Sequence, residues 1–373
     1  MKRILIDGTT ISMRMDGLSQ YILNVVSRLP QRDDRRYTVV VRPEECPETY
    51  LDKWRQRGIE IQTAPIAPIG PKRDRQFRKW LRAQRPYDAI LAPSNQFPSG
   101  VKIPTVYVVH DIIYERYPGQ LGKLAKAKRW WLHHNVAQGL RQAQAVVAVS
   151  QFTKQEILYF HPKTDKEKIQ VVYEGWEHLQ TPMKTVDVQV PFDNYILYIG
   201  SSRGHKNLQG LLEAISLCAS RLPEGTGLVI AGDDRMLTEE QRKKIQKLNG
   251  KVITTGWLDQ AHLNVYSTHA KAIIFPSLCE GFGIPVLEAF YFRKPLLLSN
   301  ASSLPEVAGD AALYFDPRQP EEMAEVILHA FRITDLERAE WISKGEQRLK
   351  QFSWQKTADE IEEIVNKVLA KSR

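Results

Sequence analysis

The sequence has few cysteines, and they form no recognisable pair. Cys46, Cys218 and Cys279 are widely spaced and make no C-x-x-C motif. An odd number of scattered cysteines argues against a disulfide framework. It is typical of a protein kept in a reducing cytosol, so we expect a cytoplasmic location.

Long apolar runs are also missing. No stretch approaches the roughly 18 apolar residues that suggest a membrane-spanning helix. The N-terminal run in "MKRILIDGTT" is interrupted by Asp7 and is too short for a signal peptide. We therefore predict a soluble protein, or one held peripherally on the inner face of the cell membrane.

Two common nucleotide-binding motifs are absent. No G-x-G-x-x-G follows the first predicted strand of either half of the chain, and there is no Walker A sequence. These absences disfavour a dinucleotide-dependent dehydrogenase and a P-loop enzyme.

Acidic residues are scarce in the first half only. The net charge is +9, but residues 1–178 carry +11 and residues 179–373 carry −2. A one-sided basic excess suggests an anionic partner, such as a membrane surface, a phospholipid-linked substrate or a nucleic acid. Simple solubility explains the excess equally well on charge alone.

The 373 residues suit two domains of about 150 to 200 residues each. Short apolar strands alternate with helical segments along the chain, a pattern typical of parallel sheets covered on both faces. We predict an α/β protein with two doubly wound, Rossmann-like domains. The predicted parts are an N-terminal domain (1–178), a linker (179–193), a C-terminal domain (194–350) and a C-terminal helix (351–373) that packs back on the N-terminal domain.

The segment "PSLCEGFGIPVLEAF" (276–290) carries two glutamates in apolar surroundings. It joins the strand "AIIFPS" to a helix that begins near Pro285, and free amides at such a helix start favour an anion. Glu280 and Glu288 can accept hydrogen bonds from hydroxyl groups. A polyhydroxylated ligand that bears phosphate would satisfy both features; the alternative is that both glutamates are solvated loop and cap residues.

The E-x7-E spacing of Glu280 and Glu288 resembles the motif of retaining glycosyltransferases of family 4. Four more segments are similar to that family in the same order: "VYVVHDIIYERYP", "VAVSQFTKQEI", "YIGSSRGHKNLQGLLEA" and "SNASSLPEVAGDAALYFDP". The resemblance covers about residues 105 to 317. It implies the GT-B fold, in which two Rossmann-like domains face each other across a cleft.

The resemblance implies roles for residues of the C-terminal half. Glu288 would bind the ribose of a nucleotide-sugar donor, and Glu280 would lie over the sugar. Lys206 and Arg203 would neutralise the departing diphosphate, where fixed cations stabilise developing charge. The backbone at five glycine-loop and helix-start positions would approach the sugar and diphosphate: Gly200, Gly281, Phe282, Gly283 and Ile284.

Two residues of the N-terminal half have implied roles as well. His110 would face the donor sugar; a lone histidine is otherwise more often a structural residue. The amide of Gly17 would approach the donor phosphate. Ser19 stands where the family usually has a second glycine, and Ser201 and Ser202 stand where an arginine is frequent, with Arg203 next.

Asp233 and Asp234 in "GDD" could suggest a metal site. The family typically needs no metal, so we interpret them as loop residues and expect neither metal nor cofactor. The basic segments 71–86 and 123–134 interleave cations with aromatic residues, as interfacial segments on anionic lipid do. A solvated basic face with core tryptophans is the alternative, and no module that reads nucleic-acid bases is present.

The sequence thus predicts a retaining, metal-independent glycosyltransferase that moves a hexose to a glycan or lipid-linked glycan of a bacterial surface polysaccharide. GDP-mannose is the expected donor, since several segments resemble bacterial mannosyltransferases, and a UDP-hexose is the alternative. Other hypotheses are a non-catalytic module of the same fold that binds a nucleotide sugar or lipid, a nucleic-acid binder, and an enzyme with a small phosphorylated acceptor.

Overall fold

The computed structural model describes residues 1–122, 124–180, 186–248 and 250–371, and it divides the chain into two compact units. Unit 1 comprises residues 1–178 and 353–373, and unit 2 comprises residues 179–352. Each unit is a parallel sheet flanked by helices, which is the α/β architecture predicted from the sequence.

Unit 1 is built on a sheet of seven parallel strands in the order β3-β2-β1-β4-β5-β6-β7. The strands are β1 (Lys2–Asp7), β2 (Arg35–Val41), β3 (Glu60–Thr63), β4 (Ala89–Ala92), β5 (Thr105–Val109), β6 (Ala145–Ala148) and β7 (Ile169–Val171). The helices are α1 (Gly17–Val26), α2 (Glu48–Gln56), α3 (Pro71–Arg82), α4 (Ile113–Arg116), α5 (Ala125–Gln142), α6 (Gln151–Phe160) and, from the end of the chain, α14 (Trp354–Lys371).

Unit 2 contains six parallel strands in the order β10-β9-β8-β11-β12-β13. They are β8 (Asn194–Ile199), β9 (Thr226–Ala231), β10 (Val252–Gly256), β11 (Ala272–Phe275), β12 (Leu296–Ser299) and β13 (Leu313–Phe315). The helices are α7 (Leu208–Cys218), α8 (Glu239–Lys247), α9 (Gln260–His269), α10 (Ile284–Tyr291), α11 (Leu304–Ala308), α12 (Pro320–Arg332) and α13 (Asp335–Leu349).

Both strand orders reverse direction once, and this determines where ligands can bind. In unit 1 the chain first moves outward from β1 to β3 and then returns to the other side of β1 as β4. In unit 2 the reversal lies between β8 and β11. Loops that leave neighbouring strands at such a switch point diverge to opposite faces and open a crevice at the carboxyl edge.

The cores consist of the strands and the inward faces of the helices. In unit 2 a continuous apolar cluster joins strands β8, β9 and β11 to helices α7 and α12, with Leu211, Ile230 and Ile327 fully or almost fully buried. In unit 1, Val109 and Val136 belong to a similar cluster between the sheet and α5. Each such side chain contributes about 1.5–3 kcal/mol by leaving water.

The C-terminal helix α14 belongs to unit 1. Trp354 is fully buried, and Ile361, Val365 and Val368 follow at helical spacing on the same buried face. Glu177 holds the start of this helix, since its carboxylate accepts hydrogen bonds from Ser353 Oγ (2.5 Å) and from the amide of Trp354 (2.8 Å). Residues 372 and 373 lie outside the described residues.

Only part of the segment predicted as a linker (179–193) belongs to the described residues. Residues 181–185 lie outside the described residues, and residues 186–193 group with unit 2. There the ring of Phe192 lies against Gly227 of β9, so closely that a Cβ at Gly227 would come within 2.5 Å of it. Among the described residues, none of the helices combines the length and apolarity that a membrane crossing requires.

Candidate active site

The loop after β8 begins with a close approach of two backbone segments. Gly200 directly follows β8. Its carbonyl oxygen lies so close to Gly232 that a Cβ atom on Gly232 would be only 2.1 Å from it. The phenol of Tyr198 is buried beneath the loop and donates to the carbonyl of Ser201 (2.9 Å). Burial raises the pKa of Tyr198, and the charge of Glu280 raises it further, so the phenol stays a donor.

Lys206 lies at the end of a short 3-10 turn (Gly204–Lys206) that leads into α7. The following residue, Asn207, adopts a left-handed conformation (φ 56°), and its side-chain amide donates to the carbonyl of Pro317 (2.7 Å). This turn places Lys206 before the helix start. Arg203, which the family resemblance assigns to the diphosphate, is exposed at the N-terminal end of the same turn.

The loop after β11 is held by two serines from the segment before α11. Ser302 Oγ accepts a hydrogen bond from the amide of Glu280 (3.0 Å). The Ser303 hydroxyl, which is fully buried, lies 2.7 Å from the carbonyl of Phe282 and 3.1 Å from the carbonyl of Glu280. The side chains of Ser302 and Ser303 therefore fix the backbone of the "EGFG" loop by hydrogen bonds. Neither serine was identified from the sequence.

Helix α10 begins directly after this loop. Gly283 precedes it with a φ of 107°, and a Cβ there would approach Leu304 to 2.9 Å, so the position requires glycine. Pro285 occupies its first turn, as predicted from the sequence. Glu288 lies one turn further on and is half-buried. The positive end of the helix dipole lies at this start and favours an anion, while the amide of Val286 donates to the carbonyl of Gly283 (2.9 Å).

The two loops meet through an ion pair. Nζ of Lys206 lies 2.7 Å from Oε1 of Glu280, with the side chains 25% and 15% exposed. Burial raises the pKa of the Glu280 carboxyl, but the charge and hydrogen bond of Lys206 and the hydroxyl of Ser277 outweigh it. The net pKa is lowered, so Glu280 is an ionised acceptor at neutral pH.

His205 reinforces the connection between these loops. Its carbonyl accepts a hydrogen bond from the amide of Leu278 (2.7 Å), while its ring is buried. Burial, together with the charge of the neighbouring Lys206, lowers the pKa of His205 to about 4. The imidazole is therefore neutral at pH 7, and Lys206 is the cation that faces Glu280.

His110 lies at the carboxyl end of β5 in unit 1, as predicted. Its Nε2 is 3.0 Å from the carbonyl of Pro93, which can only accept, so Nε2 carries a hydrogen. Its Nδ1 is 3.2 Å from Oε1 of Glu174, a buried carboxyl group. The pair therefore shares a proton, carried either by the imidazole or by Glu174. Glu174 was not identified from the sequence.

Ser19, which stands where the family usually has a glycine, makes hydrogen bonds that a glycine could not make. Asp16 caps α1 by accepting from the amide of Ser19 (2.9 Å), and the Ser19 hydroxyl also donates to Asp16 (2.7 Å). The same hydroxyl accepts from the amide of Ser12 (3.0 Å). Gly17 is exposed at the start of this helix, and Tyr21, one turn later, lies edge-on to His110 at 4.6 Å between ring centroids.

The two predicted basic segments differ in character. In 71–86, Arg73 is fully buried and pairs with Asp7 and with Asp74 (3.1 Å), and Phe77 belongs to the core, so neither of these two side chains is available to solvent or to a lipid surface. In 123–134, of which residue 123 lies outside the described residues, Leu124 and Trp130 are 77% and 62% exposed.

Asp233 has a local role in its loop. Its carboxylate accepts from the amide of Arg235 (3.1 Å) and pairs with the Arg235 guanidinium (2.7 Å). Asp234 accepts from the Thr254 hydroxyl at 3.3 Å.

Each half of the chain matches a glycosyltransferase family model. Residues 15–177 match the family model "Glycosyltransferase Family 4", and residues 188–348 match "Glycosyl transferases group 1". The O-antigen chain mannosyltransferase B of Escherichia coli is 28% identical over 60% of this chain and 61% of its own length. The O-antigen chain mannosyltransferase RfbU of Salmonella typhimurium is 23% identical over 96% of both chains.

Solved structures share the whole fold. Anabaena HepE, in a structure with UDP and glucose, superposes with a TM-score of 0.72 over 98% of this chain and 99% of its own, at 18% identity. That likeness shows the GT-B fold. With the two family models on the two halves and the E-x7-E loop at the switch point of unit 2, the chain belongs to glycosyltransferase family 4.

Proposed function

We propose that the protein transfers a hexose from a nucleotide-sugar donor to a glycan or lipid-linked glycan, with retention of anomeric configuration. The acceptor hydroxyl oxygen forms a bond to the anomeric carbon as the bond from that carbon to the diphosphate breaks. The diphosphate leaves with the bonding electrons, and the hydroxyl proton passes to a departing phosphate oxygen. No metal ion is needed at the diphosphate, because protein groups supply the positive charge.

One observation carries this proposal: Lys206 and Glu280 lie in contact at the switch point of unit 2, beside the start of α10. Lys206, the amides of Gly281 to Ile284 and the α10 dipole provide positive potential for a diphosphate. Glu280 and Glu288 provide acceptors for sugar and ribose hydroxyls. Gly200 lets the backbone come close to the ligand. Arg203 is a second cation from the same loop.

His110 and Gly17 are the proposed contributions of unit 1. His110 would contact the transferred sugar, and the Gly17 amide the donor phosphate. Since Nε2 and Nδ1 of His110 already have partners in Pro93 and Glu174, we infer that Glu174 sets the orientation and proton content of this ring.

GDP-mannose is the proposed donor, and mannose is the sugar transferred. Its support is the similarity to the O-antigen mannosyltransferases of E. coli and Salmonella, of which the E. coli protein is matched over only 61% of its length. A UDP-hexose is the second candidate, supported by the fold shared with HepE, whose structure contains UDP and glucose.

The proposed acceptor is a glycan of surface polysaccharide synthesis, with the protein in the cytoplasm. Peripheral contact with anionic lipid is proposed for the start of α5, where Leu124 and Trp130 are exposed among Lys126 and Lys128. Such a mixture of apolar and cationic side chains suits a lipid interface. A non-catalytic binding module is the rival proposal, and the retained Lys206, Glu280, Glu288 and His110 argue against it.

The test is a thermal-shift panel of GDP-, UDP-, ADP- and dTDP-sugars, followed by release of nucleoside diphosphate with candidate acceptors. A bound donor raises apparent stability by mass action, by about 2.7 kcal/mol at 100 times its Kd. We expect GDP-mannose to give the largest shift and to yield GDP. A larger thermal shift with a UDP-sugar would identify that sugar nucleotide as the donor instead of GDP-mannose. A thermal shift without release of nucleoside diphosphate from any donor would support the binding module.

Glu288→Ala tests the ribose assignment. We expect it to abolish most of the donor shift, whereas Glu321→Ala, an exposed glutamate at the start of α12, should leave the shift unchanged. An undiminished shift in Glu288→Ala would show that Glu288 does not bind the donor.

A further inference from the structure

A second cluster of titratable side chains in unit 1 uses none of the residues assigned above. Glu115 of α4, His133 of α5 and His161, which follows α6, each bring one potential ligand atom within 4.8 Å of the others. Within the described parts of the chain, it is the one group of three or more His, Cys, Asp or Glu residues arranged this way.

The carboxylate of this cluster is fully engaged. Oε1 of Glu115 is 2.7 Å from Nδ1 of His133, and Oε2 accepts from Nε of Arg129 at 2.8 Å. The Glu115 side chain is buried, and the His133 side chain is 39% exposed. Arg129 thus holds one oxygen of the carboxylate and leaves the other directed at His133.

His161 is the unusual member. It is only 8% exposed, and its Nε2 is buried without a hydrogen-bond partner among the described residues. Its ring stacks on that of His133 with 4.5 Å between centroids and 28° between planes. Burial lowers the pKa of His161 to about 4, with a further contribution from His133 and an opposing one from Glu115. The ring is therefore neutral at pH 7, which is the form that binds a metal.

We propose that Glu115, His133 and His161 form a zinc site that ties α4, α5 and the end of α6 together. Two imidazole nitrogens and one carboxylate oxygen are a common zinc donor set, with water in the fourth position. The ion gives Nε2 of His161 the partner that it otherwise lacks. Arg129 would remain on Oε2 and orient the carboxylate, as outer partners of metal ligands do.

The ion takes the place of the hydrogen between Nδ1 of His133 and Oε1 of Glu115, and both atoms become ligands. A neutral imidazole carries one ring hydrogen, so that hydrogen moves to Nε2 of His133 and Nδ1 is left to bind the ion. Because zinc lies about 2.0–2.1 Å from each nitrogen, in the plane of the ring, the stacked pair must open. His133 can turn, since its side chain is partly exposed. The zinc site is separate from the proposed transfer reaction and does not rest on it.

Zinc binding to the metal-stripped full-length chain tests this proposal by titration calorimetry at about pH 7.5. The variants are His133→Ala, His161→Phe, which keeps a buried ring, and His134→Ala. His134 is the matched control, because it neighbours His133 on α5 but is exposed, with its Nδ1 near the carbonyl of Trp130.

We expect one zinc ion per chain in the wild type and in His134→Ala. Affinity should fall by about tenfold or more in His133→Ala and His161→Phe. Zinc should also raise the melting temperature of the wild type and of His134→Ala, but not that of His133→Ala or His161→Phe. Equal zinc affinity in all four proteins, or a loss of binding only in His134→Ala, would overturn the site.

Discussion

Nζ of Lys206 lies 2.7 Å from Oε1 of Glu280, and the two residues come from loops that follow β8 and β11, the neighbouring strands at the switch point of unit 2. Both side chains are mostly buried. A charge-assisted contact of this kind is stronger than a surface ion pair, and each partner is costly if left alone. Under the proposed function, Lys206 must turn from this carboxylate towards the diphosphate.

Breaking this pair should affect stability and chemistry differently. We expect Lys206→Met to slow diphosphate release by about 10²–10³-fold, since a preorganised charge is lost. It should also destabilise unit 2 by about 1–3 kcal/mol, because Glu280 remains as a partly buried, unpaired carboxylate. Adding Glu280→Gln should restore most of the stability in urea unfolding but none of the activity.

The surface pair between Arg221 and Glu325 is the matched control, since both side chains are about half exposed or more. Arg221→Ala should change the free energy of unfolding by about 1 kcal/mol or less. A Lys206→Met protein that is as stable as wild type would contradict the paired role of Glu280.

Ser303 should be a positioning residue for the donor loop. Ser303→Ala removes the buried hydroxyl that contacts the carbonyls of Phe282 and Glu280. We expect about 1–3 kcal/mol of destabilisation and a weaker donor-induced thermal shift. Ser216→Ala, a helical serine bonded to Leu212 of its own helix, should leave the donor shift unchanged.

Gly232 should tolerate no side chain. A Cβ there would lie 2.1 Å from the carbonyl oxygen of Gly200, which is backbone and cannot move aside cheaply. We expect Gly232→Ala to lower the melting temperature by several degrees, with a cost of about 1–3 kcal/mol. Gly204→Ala should be nearly neutral in stability, because no atom lies within 4 Å of its Cβ position. Equal melting temperatures for the two variants would contradict the close approach.

Glu177 should make the docking of α14 depend on pH. Burial raises the pKa of its carboxyl, but the Ser353 hydroxyl and the Trp354 amide outweigh this and lower the pKa overall. Because the pKa of Glu177 is lower in the folded state than in the unfolded state, its carboxylate stabilises the fold fully above the unfolded-state pKa of about 4.3. That stabilisation is lost as the pH falls through the pKa of the folded state. Urea unfolding from pH 7 down to pH 3 should show this loss in the wild type.

Glu177→Gln should flatten that acid loss while lowering stability at pH 7. Glu167→Gln, in an exposed turn of unit 1 where the backbone amide of Glu167 donates to Asp165, should preserve the wild-type pH profile. An unchanged profile in Glu177→Gln would show that this carboxylate does not hold α14.

The strand and helix pattern could be predicted because parallel strands buried on both faces are short apolar runs. The segment "SQYILNVVSRL" (19–29) has the apolar spacing of a helix, and the structure places α1 (Gly17–Val26) there. The E-x7-E loop and Lys206 could be located because motif spacing survives in a single sequence. Their placement at adjacent strand ends followed from the doubly wound order.

The partners of these residues could not be predicted, because they come from distant parts of the chain. Glu174 is 64 residues from His110, and Ser303 is 21 residues from Phe282. A single serine or glutamate carries no periodic signal. In the sequence Ser19 is only a departure from a glycine motif, and its contacts with Asp16 and Ser12 exist only in the folded chain.

Hydrophobic period and motif spacing are local properties, so the amino-acid sequence was enough to predict two α/β units, the family resemblance, a C-terminal helix that packs on the N-terminal domain, and the residues proposed to meet a nucleotide sugar. The folded structure was needed to show that Arg73 is a buried ion-pair partner and that Glu115, His133 and His161 converge. Each of these depends on burial and on contacts across the sheet, and local propensity does not encode which distant side chain satisfies a buried charge.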